Sequence, residues 1–267
     1  NIHNLPPIEE DKTGMPSPMR YQPHVLITGY FPDVDSLFRW HHNMLVVDTT
    51  LPDADSFMDN VLADADTDSA KISAIYSWAQ DNIRYVAYEE GDAGFRPDTP
   101  AEVIRKRYGD CKGMAVLLSE MLRHEGFEAW PASIGTDDIP FLIKEYPTLA
   151  ATNHMICVLY HNNDTIFLDA TNKYIPYSHV PSAIQGKDAI VDKGTEYDLV
   201  TLPVLPASAS TDSLSYSYTF SNGCLTGKAR RSLTGDVKEY FMSQLDAIKK
   251  PYQADALMKS LLPSTQA

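Results

Sequence analysis

Tyr108-Gly109-Asp110-Cys111-Lys112-Gly113 runs directly into Met114-Ala115-Val116-Leu117-Leu118-Ser119-Glu120-Met121-Leu122. A glycine-bearing turn delivers an aspartate and then a cysteine, and about three helical turns of mostly apolar residues follow. This order predicts a buried helix with Cys111 in its first turn. Free backbone N–H groups and the positive end of the helix dipole favour a thiolate there. A structural cysteine would sit more naturally in the middle of the apolar face. Asp110 reads as the helix N-cap rather than a catalytic acid, and its charge partly opposes the thiolate. Taken alone, the stretch also fits a core cysteine behind a loop. The partners supplied by the rest of the chain decide between the two.

The second informative stretch is His154-Met155-Ile156-Cys157-Val158-Leu159-Tyr160, then His161-Asn162-Asn163-Asp164, then Thr165-Ile166-Phe167-Leu168-Asp169-Ala170-Thr171. Two β-rich runs around an Asn/Asp turn predict a hairpin. A loop centred between Asn162 and Asn163 sets Ile156 opposite Asp169 and His154 opposite Thr171. His154 and Asp169 then share a face as diagonal neighbours, roughly 5–8 Å apart at Cβ. A register centred one residue earlier sets them directly opposite. Either register allows an imidazole–carboxylate contact. Cys157 points to the other face and reads as a core thiol.

Outward from these two stretches the pattern is weaker. Residues 1–36, with Leu5-Pro6-Pro7 and Met15-Pro16-Ser17-Pro18, read as an extended arm on the surface, the tail of a preceding domain. Leu37, Trp40, Met44 and Val47 predict a helix over 36–47. His41 and His42 are adjacent there, point in different directions and form no ligand pair. A second helix is predicted over about 69–86 from Ile72, Ile75, Tyr76, Ala79, Ile83 and Val86, with Asp66 or Asp68 as cap. Trp78 lies off that stripe and reads as a packing or lid aromatic. The loop from Glu89 to Pro97 lacks the Lys-Ser/Thr ending of a phosphate loop. Thr99-Pro100 opens a short helix, and Gly126 closes the Cys111 helix. Residues 127–134 read as a strand that Pro131 confines to an edge or bulge. Residues 135–153 form a loop and 172–202 are irregular, with a short strand at Ala189-Ile190-Val191. Alternation from Ser213 to Phe220, the turn Ser221-Asn222-Gly223 and a strand near 225–232 precede a helical tail over 236–262. The domain organisation expected is an arm over 1–36, a core over 37–202 and the start of a β-rich domain over 203–267.

The chain has 267 residues, 43% hydrophobic, enough for a substantial core. Its net charge of −14 argues against nucleic acid, because a phosphate backbone needs a basic surface. No apolar run is long enough to span a membrane. The sequence starts at Asn1 without an initiator methionine or signal peptide, so it reads as a mature form or an excised piece. The three cysteines have no CxxC spacing and predict neither a disulfide framework nor a zinc cluster.

Cys111, His154 and Asp169 form a coherent set, because cysteine chemistry needs a thiolate, a proton-shuttling imidazole and an acceptor that orients it. Their chain order is the one expected of papain-like folds. Gly109-Asp110-Cys111-Lys112, the helix ending Leu122-Arg123-His124-Glu125-Gly126, Asn153-His154 and Leu168-Asp169-Ala170-Thr171 together resemble the transglutaminase-like superfamily. The likeness covers about residues 70–200 and is nearest to a bacterial branch in which this core sits between two β-rich domains. Gly113 departs from it, since relatives commonly carry an acidic residue there. The resemblance implies an α+β fold with a nucleophile-bearing helix packed on an antiparallel sheet. It implies Cys111 as nucleophile, His154 as general acid/base, Asp169 as its orienter and the Cys111 backbone N–H as an oxyanion donor, with Tyr85 or Tyr88 as candidates for a second. The activity expected is amide hydrolysis or acyl transfer through a thioester on a protein or peptide substrate, without cofactor or metal, in an exported bacterial protein. The competing expectation is a peptide- or glycan-binding scaffold of the same fold without turnover. A Cys/His/Asp metal site is chemically possible, but no second histidine has ligand spacing.

Overall fold

A computed structural model describes residue 19, residues 21–63 and residues 65–262. The proline-bearing stretches of the expected arm, residues 5–7 and 15–18, lie outside the described residues. Tyr21 to Asp33 contains neither helix nor strand.

Among the described residues, five α-helices precede the main sheet. Asp33 caps α1 (Val34–Leu45) by accepting the Ser36 N–H at 2.7 Å, so the helix starts two residues before the spacing predicts. α2 (Ala54–Leu62) carries Phe57, Met58, Val61 and Leu62 at helical spacing, a set too short to stand out in the sequence. α3 (Asp68–Asn82) is capped by Thr67, not by Asp66 or Asp68. It stops short of Val86 because β1 (Arg84–Tyr85) pairs in parallel with β2 (Tyr108–Gly109). That pairing sets Tyr85 beside Gly109, two residues before Cys111. Thr99 and Glu102 form a reciprocal capping box on α4 (Pro100–Lys106), with Pro100 in its first turn. α5 (Cys111–His124) is capped by Asp110 and ends before Gly126, whose φ of 83° is the left-handed conformation that glycine adopts without strain.

The main sheet contains β3 (Glu128–Ile134), β4 (His154–His161), β5 (Asp164–Leu168), β6 (Asp188–Asp192) and β7 (Tyr197–Thr201), ordered β5-β4-β3-β6-β7 with antiparallel neighbours throughout. The edge position expected for residues 127–134 is therefore corrected: β3 is the central strand. Pro131 is tolerated because β6 pairs only with Ala132–Ile134, leaving Pro131 just outside the doubly paired stretch.

α5 lies on one face of this sheet. Its Met114, Leu117, Leu118, Met121 and Leu122 pack with Ile72, Ile75 and Ala79 of α3 and with Ala129, Cys157, Leu159 and Leu168 of the strands. Leu117 is fully buried, so Leu117→Ala would cost about 2–5 kcal/mol. The opposite face carries Ala132, Ile134, Ile156, Val158, Ala189 and Val191, covered by Val180, Ile184 and Leu202. The irregular 172–202 stretch thus supplies this cover as well as strands β6 and β7. The architecture is α+β, with the cysteine helix on an antiparallel sheet.

Beyond it, β8 (Asp212–Ser221) and β9 (Cys224–Leu233) form a separate hairpin, followed by α6 (Gly235–Asp246) and α7 (Lys250–Ser260). The tail expected as one helical stretch is broken between Asp246 and Lys250, and Pro251 sits in the first turn of α7. Asp236 ties α6 to the core through His179 Nε2 at 3.0 Å and the Ser182 N–H at 2.8 Å.

Candidate active site

Cys111 is the first residue of α5, and its backbone N–H is one of the first-turn donors that a helix cannot satisfy internally. Asp110 does two jobs beside it. Its Oδ1 accepts the Gly113 N–H at 2.9 Å, and its Oδ2 pairs with the Lys112 ammonium. Both side chains of that pair are nearly buried. The Asp110 charge that opposes a thiolate is thereby largely compensated. The electrostatic surroundings of the Cys111 thiol then come mainly from the helix terminus and the His154 imidazole.

The hairpin fixes that imidazole. Asn162 and Asn163 have φ of 51° and 63°, the left-handed pair required by a two-residue turn that matches strand twist. The ladder runs from His161↔Asp164 to Cys157↔Leu168, the register centred between the two asparagines. It stops there, so Asp169 leaves the strand instead of continuing to Thr171. The cause is local: Asp169 closes an Asx-type turn, with Oδ1 accepting the Thr171 N–H at 3.1 Å and Oδ2 accepting Asn172 Nδ2 at 2.7 Å. Tyr76 Oη of α3 donates to the Asp169 carbonyl at 2.8 Å and anchors the same residue from the helix layer. Asn153 clamps the start of β4, accepting the Thr136 N–H at 2.8 Å and donating to Thr136 Oγ1 at 2.9 Å.

Held this way, His154 Nε2–H donates to Asp169 Oδ2 at 2.9 Å, with side-chain exposures of only 11% and 3%. Burial alone would favour a neutral imidazole. The charge and hydrogen bond of Asp169, joined by those of Cys111, outweigh it and raise His154 to about 10. Burial likewise works against the Asp169 carboxylate, yet the His154 charge and the hydrogen bonds from His154 and Thr171 hold it below the usual range. With Nε2 engaged, Nδ1 is the ring nitrogen left for Cys111.

Cys111 and His154 line one cleft of about 320 Å³, together with His41, Glu89, Phe95, Lys112 and Thr152. Cys157 lies elsewhere, fully buried beneath α5, where burial pushes its thiol up to about 12. Cys224 is exposed on β9, and all three cysteines are free. Of the two tyrosines, Tyr85 is the one the Cys111 charge reaches: burial first, then Cys111, Glu89, Asp110 and Asp169, push it up to about 12. Tyr88 is 62% exposed and lines a neighbouring cavity.

The two histidines of α1 behave differently from one another. His42 Nδ1 pairs with Asp192 of β6 at 2.9 Å. His41 reaches the cleft, with Nε2 3.3 Å from Thr152 Oγ1, and burial lowers it to about 4. Adjacency in sequence conceals this, since only docking of α1 on the loop before β4 brings His41 to the site. Trp78 is a packing residue: Phe57 meets it edge-on at 4.9 Å and Arg107 lies 5.7 Å over its ring. Among the described residues no group of three or more His, Cys, Asp or Glu is arranged to hold a metal ion.

Residues 55–136 match the model of the transglutaminase-like superfamily core, so a transglutaminase-like domain is present from α2 to the end of β3. A solved structure described as a "putative protease" from Parabacteroides distasonis superposes with a TM-score of 0.51 at 13% identity, over 72% of this chain and 37% of that one. A "putative cysteine protease" from Cytophaga hutchinsonii matches with a TM-score of 0.33 at 20% identity, over 44% of this chain and 37% of that one. The first likeness concerns the fold, and the second is too slight to add to it. This chain spans little more than a third of either protein's length. No curated protein matches it.

Proposed function

We propose that the protein is a cysteine-dependent amide-bond hydrolase or acyl transferase working through a thioester on Cys111. The observation that carries this is the meeting, in one cleft, of a cysteine at a helix N-terminus with a histidine whose far nitrogen is held by a buried carboxylate. The transglutaminase-like domain and the fold likeness support a thiol enzyme in general. The triad and the thioester are our reading.

In that reading the Cys111 thiolate attacks the amide carbon, and the C–S bond forms as the carbonyl oxygen gains negative charge. The Cys111 backbone N–H donates to this oxygen, and Tyr85, held beside Gly109 by the β1–β2 pairing, is our candidate for a second donor. His154, as imidazolium, gives its Nδ1 proton to the departing nitrogen while the C–N bond breaks. Asp169 keeps the ring oriented and favours its charged form throughout. The neutral imidazole then takes a proton from the incoming nucleophile, whose attack on the thioester expels Cys111. Water as acceptor gives hydrolysis, the outcome we favour, and an amine gives transfer.

The test is amide turnover on a peptide library by the wild-type protein, Cys111→Ala and His154→Ala. Turnover abolished in both variants supports the mechanism. Activity surviving in Cys111→Ala contradicts it. Wild-type inactivity alongside tight peptide or glycan binding would point to the scaffold instead.

A further inference from the structure

One histidine of the catalytic cleft has no part in the chemistry proposed so far. His41 lines the same cavity as Cys111 and His154, yet it comes from α1, outside the residues that match the superfamily model. Its ring is fixed from two directions. Trp40 meets it edge-on at 5.4 Å and also meets Phe95, another cleft residue, at 5.0 Å. Thr152 Oγ1 lies 3.3 Å from Nε2.

Proton placement leaves one ring nitrogen over. The Thr152 hydroxyl also lies 3.5 Å from the Leu149 carbonyl, which can only accept. Its proton therefore goes to Leu149, and Oγ1 accepts from His41 Nε2–H. Burial lowers His41 to about 4, so the ring is neutral near pH ~7 and Nδ1 is a bare acceptor. Nδ1 has no hydrogen-bond partner among the described residues. It is not sealed off either, since among those residues Trp130 Nε1 is the one partnerless side-chain atom fully buried from solvent.

Position decides which part of a substrate this acceptor meets. Thr152 has an extended backbone, with φ of −130° and ψ of 131°, and alternate side chains of an extended chain share one side. Thr152 and His154 therefore stand on one wall of the cleft, about 6–7 Å apart along the chain. His154 must meet the departing nitrogen to protonate it. A peptide continuing from that nitrogen along the wall comes abreast of Thr152 and His41 within one or two residues, at about 3.5 Å per residue. We propose that His41 binds the leaving side of the substrate, its Nδ1 accepting a backbone N–H one or two residues beyond the scissile bond. Such a contact reads main chain rather than side chain. It favours a polypeptide leaving group over ammonia, and so peptide cleavage over deamidation of a side-chain amide. The proposal rests on Cys111 being the nucleophile and His154 its acid.

The experiment compares kcat/KM for three peptides of one sequence with the same scissile amide, cleavage there being read by mass spectrometry. In two of them an ester oxygen replaces the first or the second backbone N–H beyond the scissile bond. The wild-type protein is expected to favour the parent over one of the two esters about fivefold, the worth of one neutral hydrogen bond. His41→Phe keeps a ring of similar size without the acceptor and should bring that ratio to about one. His41→Asn, whose carboxamide oxygen can stand where Nδ1 stood, should retain part of it. No preference for the parent in the wild type, or a preference that survives His41→Phe, overturns the role of His41. A wild type that cleaves none of the three counts against the thiol-enzyme reading instead. Binding then tests His41 by itself: Cys111→Ala should hold the parent more tightly than one ester, and Cys111→Ala/His41→Phe should hold both alike. Equal binding of the parent and both esters by Cys111→Ala overturns the proposal.

Discussion

Asp169→Asn separates orientation from charge at the candidate triad. The carboxamide is nearly the same size and keeps an oxygen for the Thr171 N–H, so the turn after β5 should persist. The contact to His154 cannot. An amide group facing Nε2 either presents its own N–H, forcing Nε2 to be an acceptor, or offers a neutral oxygen in place of a charged one. Losing a buried charge-assisted hydrogen bond removes about 1.5–3 kcal/mol of stabilisation from the imidazolium. At 1.36 kcal/mol per pKa unit, the thiolate–imidazolium pair near neutral pH falls roughly tenfold to 150-fold. The assay is the rate of Cys111 alkylation by iodoacetamide across pH, read by mass spectrometry. Because His154 is raised to about 10, its imidazolium should persist beside Cys111 through neutral pH, and the wild type should be alkylated faster than His154→Ala. In Asp169→Asn the rate near neutral pH should drop by the stated factor. Superimposable profiles for the two proteins would refute the role given to Asp169.

Stability against pH should show the same pair. His154 is raised on folding, so its contribution is complete below about 6.5 and is lost as pH climbs through about 10. Asp169 is lowered, so its contribution is present above about 3.9 and is lost as pH falls through the depressed value. Urea midpoints should therefore decline from about pH 7 to about pH 10, and His154→Phe should flatten that limb. Tyr76→Phe leaves the buried Asp169 carbonyl without its donor and should cost about 1–3 kcal/mol, measurable as a lower Tm. Asp110→Ala removes both the cap of α5 and the partner of buried Lys112, whereas Asp110→Asn keeps the cap. Asp110→Ala should therefore be the less stable of the two by about 1 kcal/mol. Adding Lys112→Met to Asp110→Asn should recover most of the loss, because the uncompensated ammonium disappears.

The geometry of the candidate site was legible in sequence where its signals are local. A capped helix start places Cys111, and an Asn-Asn turn sets a register that brings His154 towards Asp169. The central position of β3 was not legible, because Pro131 signals an edge and only the late start of β6 pairing makes it harmless. The anchoring of Asp169 by Tyr76 and Asn172 was also missed. Tyr76 reads as one more apolar position of α3 until its hydroxyl is seen to cross 93 residues of chain to a carbonyl. Thr171 and Asn172 did carry a signal, since an aspartate followed by such residues favours an Asx turn over a continuing strand. His41 enters the cleft through tertiary docking of α1, which helical periodicity cannot register.

The most direct measurement is exposure of the native protein to a peptidyl electrophile near neutral pH, followed by mass spectrometry of all three cysteines. Cys111 should be modified far faster than buried Cys157 and exposed Cys224, with the advantage lost in His154→Ala. Modification governed by exposure alone, with Cys224 first and Cys111 unaffected by His154→Ala, would contradict a nucleophilic Cys111.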